Sequence, residues 1–152
     1  MSPSKVRVAT VLHLSALVDD VLRGLGALPM TSLAAFQSDA RDAAAAESYL
    51  RRVLEAVLDL GRHILAKGLG EGTLEYKQVA LALQRAGVLD EARGEVLVDL
   101  AAYRNRLTHF YDEVTTPELF EICAHRVAEI RLVRNAMLDW LRRHPELVAD
   151  EL

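Results

Sequence analysis

Apolar side chains recur every three or four residues over long stretches of this chain, and this periodicity constrains its fold more than any other feature. In the longest stretch, about residues 39–67, the recurring apolar side chains are Leu50, Val53, Leu54, Val57, Leu60 and Ile64. This spacing places them on one face of an α-helix, whereas a half-buried strand needs strict alternation. No stretch of the sequence shows that alternation. The sequence therefore predicts an all-α fold.

Five long helices are expected from these stripes and from the residues that start or end helices. The first three cover about residues 6–23, 39–67 and 74–86, and the fourth begins at Asp90 and runs into the segment 103–111. Gly68 and Gly87 are expected to end the second and third helices, because glycine adopts the left-handed conformation found at helix C-termini. Asp90 is the expected N-cap of the fourth helix, since its carboxylate can accept hydrogen bonds from the first backbone amides.

The last long helix is expected over about residues 116–143, with Thr116 as its cap and Pro117 at the first helical position. A short helical turn, capped by Thr31 or Ser32, is expected to run through Phe36. Short connections between helices favour antiparallel packing in a bundle. At 152 residues the chain is long enough for one hydrophobic core, so we expect a single domain over residues 1–152.

The charge balance excludes a protein that coats nucleic acids nonspecifically. The chain has 18 Lys and Arg against 22 Asp and Glu, a formal net charge of −4, so any RNA contact must be local. Cys123 is the only cysteine, which excludes an internal disulfide and fits a reducing cytosol, so a cytoplasmic location is expected. The apolar run at residues 8–18 is interrupted by His13 and is too short to span a membrane. We therefore expect no membrane partner.

The segment Tyr103–Tyr111, with the sequence YRNRLTHFY, carries the side chains with the clearest chemical potential. An arginine such as Arg104 binds phosphate through a planar set of N–H donors. A histidine such as His109 belongs to the residue type that exchanges protons most readily near neutral pH. Metal-independent cleavage of RNA requires this combination.

The helical positions of Arg104 and His109 raise a geometric question. At about 100 degrees per residue, the two side chains lie roughly 140 degrees apart on an unbroken helix. Either the helix loosens around Thr108 and His109, or a second copy of the protein supplies the missing side of the cleft.

The segment resembles the Arg-x4-His-x-Tyr motif of HEPN-domain RNases, and specifically the HepT toxins of HepT/MntA toxin–antitoxin systems. The resemblance extends to residues 49–59, which are similar to the second helix of that family, and to residues 69–72 and 86–91, which are similar to its connections. Together these segments cover roughly residues 5–142. The family more often has valine where Thr108 stands, a departure that leaves the motif residues Arg104, His109 and Tyr111 intact.

The resemblance implies a HEPN fold and a twofold homodimer in which two Arg-His pairs line one shared groove. It also implies an endoribonuclease toxin that needs no metal and no cofactor. In that reaction His109 would act as the base on the ribose 2′-hydroxyl or as the acid on the leaving 5′-oxygen, and Arg104 would stabilise the phosphate charge. Asn105 would orient the imidazole or bind the phosphate. Tyr111 would be the residue to which an MntA-like minimal nucleotidyltransferase attaches AMP, which would exclude RNA from the site.

Each of these residues also has a purely structural interpretation. Arg104 could pair with an acid such as Asp112, and His109 could complement the helix dipole. Asn105 could be only a polar residue at a helix end, and Tyr111 could be a half-buried packing residue. Two other functions then remain open: a noncatalytic HEPN module that binds a nucleotide or scaffolds a nucleotidyltransferase partner, and a plain helical dimerisation protein.

The remaining candidate side chains favour structural roles. Glu121 and His125 share a helix face, but together with Cys123 they do not make a zinc site, so no metal is expected. The basic residues Arg131 and Arg134 fit the solvated face of the last helix.

Overall fold

Helices make up most of the computed structural model, which describes residues 3–72, 74–109 and 113–150. Seven α-helices lie within these ranges: α1 Val8–Gly26, α2 Leu33–Gln37, α3 Ala40–His63, α4 Tyr76–Arg85, α5 Glu91–His109, α6 Thr116–His125 and α7 Val127–Arg142. A π-helical turn, Ile64–Gly68, continues α3, and a 3-10 turn, Pro145–Leu147, follows α7. Among the described residues the only β pairing is a single bridge between Val6 and Val148. The prediction of an all-α helical bundle is confirmed.

The central element of the bundle is α3, which contacts each of the other six α-helices. Its buried residues are five of the predicted apolar stripe together with Leu58, two alanines and one glycine: Ala46, Leu50, Val53, Leu54, Ala56, Val57, Leu58, Leu60 and Gly61. All of them except Gly61 belong to one hydrophobic cluster that reaches from Val6 to Val148. No helix in the described part of the chain is both long and apolar enough to cross a membrane.

Several predicted helix ends are present in the structure. Ser32 caps α2 by accepting a hydrogen bond from the Ala35 amide at 3.0 Å, and Asp90 caps α5 by accepting one from the Arg93 amide at 2.8 Å. Gly87 follows α4 with a φ of 78°, the left-handed conformation that glycine adopts without strain. These three predictions are confirmed.

One predicted boundary is confirmed only in part, and one is wrong. The π-helical turn that continues α3 ends at Gly68, as predicted for the second helix, but the left-handed glycine is Gly70, with a φ of 71°. The last helix is capped by Thr115 rather than Thr116, and it is divided at Arg126, where φ is −110°. The Arg126 guanidinium binds Glu129 at 2.9 Å at the start of α7, so the break itself is held by an ion pair. The expected five long helices therefore become six, and α2 is the predicted short turn.

α4 packs closely against both α3 and α5. A Cβ atom added at Gly61 of α3 would lie 2.6 Å from Leu83, and one added at Gly94 of α5 would lie within 3 Å of Gln84. Both distances are too short for a real contact, so each glycine allows α4 to approach its neighbour closely. This packing brings the N-terminus of α4 beside the end of α3 and the last turns of α5.

Arg134 contradicts the interpretation of the basic residues on α7 as a solvated face. Its side chain is buried, with 6% of its surface exposed. The guanidinium donates to the Ser15 carbonyl at 2.9 Å and to the Asp19 carboxylate at 2.8 Å, both on α1. This hydrogen bond and charge lower the pKa of Asp19 below its usual value. Arg134 thus ties α7 to α1, whereas Arg131 is exposed, as expected.

We predict that Arg134→Ala lowers the free energy of unfolding by about 2–3 kcal/mol. The change removes the buried guanidinium and its hydrogen bonds to the Ser15 carbonyl and the Asp19 carboxylate. Water can replace part of the lost interaction at Asp19, because that side chain is partly exposed. The matched control is Arg131→Ala on the same helix, which should change stability by less than about 0.5 kcal/mol. Urea unfolding followed by circular dichroism measures both. Equal losses in the two variants would show that the contact between α7 and α1 does not depend on Arg134.

Candidate active site

A cleft of about 490 Å³ opens where the last turns of α5 face the end of α3 and the start of α4. Among the described residues, six line it: Arg62, Glu75, Tyr76, Arg104, Asn105 and His109. Three of them are the predicted site residues Arg104, Asn105 and His109. The structure therefore brings these three side chains to one cleft within a single chain.

The arrangement of the three residues on α5 corrects the expectation drawn from their helical positions. The helix continues unbroken to His109, so it does not loosen around Thr108. With Arg104 taken as zero, Asn105 and His109 lie at about 100 and 140 degrees around the axis. The three side chains thus span less than half of the helix circumference. An open cleft of this size accommodates that arc, and a second chain is not needed to bring Arg104 and His109 to the same cleft.

Arg104 is held by contacts on three sides. Its Nε lies 3.3 Å from Glu55 Oε1 on α3, and its Nη1 donates to Asn105 Oδ1 at 3.3 Å. Its guanidinium carbon lies 4.6 Å from the centroid of the Tyr76 ring, which is within the range of a cation–π contact. Among the described residues, the acid that pairs with Arg104 is Glu55. Asp112, the partner suggested by the sequence, lies outside the described residues.

Tyr76 links the cleft to α3. Its hydroxyl donates to Asp59 Oδ1 at 2.7 Å, and the guanidinium carbon of Arg62 lies 4.4 Å from its ring centroid. Burial, reinforced by the hydrogen bond to Asp59, raises the pKa of Tyr76 to about 12. The phenol therefore stays protonated and neutral at cellular pH. It adds no negative charge to the cleft.

Three polar side chains of α3 line this site or bind the residues that line it, and the sequence analysis missed all three. Glu55, Asp59 and Arg62 are spaced by four and three residues, so they share one helix face, which we call the polar row. The polar row binds Arg104 through Glu55 and Tyr76 through Asp59. Its spacing was visible in the sequence, but only the apolar side of this helix entered the prediction.

The charge of the cleft is nearly balanced. Within the part of the chain that the structure describes, three acids, Glu55, Asp59 and Glu75, lie in or against it, together with two arginines, Arg62 and Arg104. Arg106 does not add to the positive charge, because it is bound through both guanidinium ends by Glu118 of α6, with Nη2 3.0 Å from Oε2. Binding of an anion here depends on where the two guanidinium groups lie rather than on a positive field.

Tyr111 and its neighbours Phe110 and Asp112 lie outside the described residues, so the predicted modification site has no structural description. Among the residues that are described, no group of three or more His, Cys, Asp and Glu side chains is placed to hold a metal ion. Glu121 and His125 form an exposed pair at 3.5 Å. Cys123 is buried, and burial raises the pKa of its thiol to about 12, so it is not a reactive thiolate.

A family model for HepT-like ribonucleases matches residues 19–137, more than three quarters of the chain and the whole of the cleft. The chain belongs to the HepT-like ribonuclease family. No protein with a curated description matches the sequence.

Solved structures of HepT-like toxins and related proteins have the same fold. A tri-AMPylated HEPN toxin of Shewanella oneidensis, in complex with its MNT antitoxin, is 14% identical and superposes with a TM-score of 0.77 over 86% of this chain and 97% of its own. A toxin–antitoxin structure with AMP-PNP is 13% identical, with a TM-score of 0.76 over 84% and 97%. YutE, a cytosolic protein of unknown function from Bacillus subtilis, is 18% identical, with a TM-score of 0.74 over 90% and 91%. At these identities the likeness shows the fold alone.

Proposed function

We propose that this HepT-like protein is a metal-independent endoribonuclease toxin that acts in the cytoplasm. The observation that carries the proposal is that Arg104, Asn105 and His109 line one cleft of about 490 Å³ in a single chain. A phosphate-binding arginine and a proton-transferring histidine at one open cleft are the side chains that RNA cleavage needs. Membership of the HepT-like ribonuclease family supports the same conclusion.

In the proposed reaction the ribose 2′-hydroxyl attacks the adjacent phosphorus while the bond from phosphorus to the 5′-oxygen breaks. His109 removes the proton from the 2′-hydroxyl or protonates the leaving 5′-oxygen, and water carries out the other transfer. The products are a 2′,3′-cyclic phosphate and a free 5′-hydroxyl end. Because the nucleophile is the 2′-hydroxyl, the substrate is RNA and not DNA.

Arg104 stabilises the charge that develops on the nonbridging phosphate oxygens. Its contacts with Glu55, Asn105 and Tyr76 fix the guanidinium before substrate arrives, and a donor group that is already oriented needs no reorganisation during the reaction. Asn105 supports Arg104 through its Oδ1. Its amide nitrogen is the part of the side chain that can donate to the phosphate or orient the imidazole.

We predict that His109→Ala abolishes RNA cleavage in the presence of EDTA, with a loss of at least about 10²–10⁴-fold, the range of general acid–base catalysis. Arg104→Ala should lose cleavage and also bind RNA more weakly. The matched control is His125→Ala, which removes an exposed histidine outside the cleft and should leave the rate unchanged. Gel analysis of labelled RNA measures the rates, and circular dichroism checks the fold. A His109 variant that cleaves at the wild-type rate in chelator would contradict the proposed role. A wild-type protein that never cleaves would favour a noncatalytic HEPN module.

Control of this activity is proposed to act through Tyr111. An MntA-like minimal nucleotidyltransferase would transfer AMP from ATP to the tyrosine oxygen and release pyrophosphate. Tyr111 lies two residues beyond His109, so their Cα atoms are no more than about 7 Å apart. In this proposal, a nucleotide attached to Tyr111 enters the cleft, where its phosphate competes with the substrate phosphate for Arg104. The Shewanella toxin of the same fold is AMPylated and bound to an MNT antitoxin, which makes this class of partner the reasonable choice.

We expect incubation with the cognate nucleotidyltransferase and ATP to add AMP to Tyr111 and to stop RNA cleavage. Tyr111→Phe should cleave RNA at close to the wild-type rate but escape this inhibition, because it lacks the acceptor oxygen. Tyr103→Phe, which removes a hydroxyl on the opposite flank of the motif, is the matched control and should remain sensitive. Peptide mass spectrometry decides the outcome. AMP found only on other residues, or a Tyr111→Phe variant that ATP and the partner still silence, would defeat the mechanism.

The protein is further proposed to form a twofold homodimer. The resemblance to HEPN RNases implies that two Arg-His pairs line one shared groove, and each chain here already provides one pair at its own open cleft. A twofold axis beside the cleft would place two such sites in one continuous surface for RNA. The dimer would therefore extend the site, whereas the pair itself comes from one chain.

Light scattering at micromolar concentration should give the mass of a dimer, about twice the 16.8 kDa of the chain. RNase activity measured over a dilution series should fall as the dimer dissociates, because the shared groove is then lost. A monomer that retains full activity per chain would show that the dimer is not part of the active form.

A further inference from the structure

We infer that Arg62 and Arg104 form a paired cation site on the Tyr76 ring, and that this site binds two consecutive phosphates of single-stranded RNA. Arg104 would take the scissile phosphate and Arg62 its neighbour along the strand. The inference rests on the proposed RNase function and assigns to Arg62 a role in substrate binding. It starts from one juxtaposition: the two guanidinium carbons lie 4.4 Å and 4.6 Å from the centroid of the same ring.

The distance between the two cations suits a nucleic-acid strand. Because both guanidinium groups lie against one ring, the distance between their carbons cannot exceed the sum of the two carbon-to-centroid distances, 4.4 Å and 4.6 Å. Phosphates in one strand follow each other at about 3.4 Å of axial rise, and more along the backbone itself. Arg62 and Arg104 are therefore close enough to contact neighbouring phosphates of one strand. They come from two different helices, α3 and α5, and both line the cleft.

Contact with the ring leaves the arginines able to bind anions. A guanidinium that lies over an aromatic ring uses its flat face, and its five N–H donors point outward in the plane. The ring thus orients the side chains without consuming their donors. Tyr76 is itself fixed by the hydrogen bond from its hydroxyl to Asp59, so the platform is anchored to α3.

The partner of Arg62 within α3 only partly compensates its charge. Asp59 Oδ1 accepts the Tyr76 hydroxyl at 2.7 Å, but the same oxygen is 3.6 Å from Arg62 Nη1, beyond hydrogen-bond distance. The side chain of Arg62 is 40% exposed, so it can reach a ligand without breaking a buried ion pair. By contrast, Arg106 is bound bidentately by Glu118 and has no comparable freedom. Arg62 is thus the second arginine of the cleft that can take a phosphate.

Salt-dependent binding of a noncleavable RNA tests the inference. The probe is a fluorescent eight-nucleotide oligouridylate with 2′-O-methyl groups, which has phosphates but no 2′-hydroxyl nucleophile. Neutralising one phosphate of a single strand contributes about 0.7 to the slope of log affinity against log salt. We expect Arg62→Gln to bind more weakly and to lower that slope by about 0.7, whereas Arg62→Lys keeps the charge and should keep the slope.

The matched control for Arg62 is Arg142→Gln. Arg142 also pairs with an aspartate three residues earlier in the last turn of a helix, in this case Asp139 of α7, away from the cleft. This variant should bind the probe like the wild type. With unmodified RNA, Arg62→Gln should raise KM and leave kcat close to wild type, because a contact with the neighbouring phosphate acts equally on ground state and transition state. Circular dichroism confirms that each variant is folded.

The outcomes separate this inference from the proposed RNase activity. Equal slopes for Arg62→Gln and Arg142→Gln would overturn the paired cation site, even if the wild type cleaves RNA. Failure of the wild type to bind the methylated probe would overturn it as well. A slope that depends on Arg62 in a protein that never cleaves unmodified RNA would support the site and contradict the proposed catalysis.

Discussion

The burial of α3 among all the other helices is the constraint on which the rest of the structure depends. A helix in that position presents an apolar stripe to the core, and the charged side chains outside that stripe can bind groups on the helices packed beside it. The partly exposed polar row of Glu55, Asp59 and Arg62 does so by contacting groups from α4 and α5. The cleft is therefore formed by the same contacts that satisfy the polar side of the central helix.

Glu55 holds Arg104 in a fixed position, but the same carboxylate competes with a phosphate for the guanidinium. Glu55 lies 3.3 Å from the Arg104 Nε, and a partly exposed ion pair of this kind contributes about 1 kcal/mol or less. A phosphate that accepts two charge-assisted hydrogen bonds from the guanidinium binds it more strongly than a single carboxylate contact does. In the proposed reaction, the substrate phosphate can thus displace Glu55 or bind the Nη edge beside it. In the free protein, Glu55 holds Arg104 in place and competes with other anions for its guanidinium.

Local signals in the sequence were sufficient for the helices and several of their ends, because each depends on neighbouring residues. The cap at Asp90 and the left-handed Gly87 are examples of such local signals. The break at Arg126 was not predictable, since no glycine or proline marks it and an ion pair with Glu129 holds it. The burial of Arg134 was also beyond reach, because its acceptors on α1 are more than 110 residues away in the chain.

The candidate site likewise has residues that a local pattern predicted and residues that only the packing of the helices brings together. The motif on α5 supplied Arg104, Asn105 and His109, which lie within six consecutive residues and are recognisable as a local pattern. Arg62 and Tyr76 lie on two other helices, and only the packing of α4 against α3 and α5 brings them to the motif. The angle of about 140 degrees between Arg104 and His109 led us to expect a loosened helix or a second chain. That expectation considered α5 alone, without the helices packed beside it. Because α3 and α4 also line the cleft, side chains that point in different directions from α5, such as Arg104 and His109, can face the same open space.

The near balance of charge in the cleft has a consequence for how the site can be controlled. A strongly positive groove would tolerate one added phosphate, because many cations would remain to bind RNA. Here two guanidinium groups lie among three acids, so a single additional negative charge would outweigh a large part of the local attraction. Contacts to α3 hold these groups in place, so in the proposed mechanism such a charge would block the cleft without unfolding it. Under that mechanism, RNA binding depends on the geometry of the two guanidinium groups, and one covalent phosphate added at the cleft would close it.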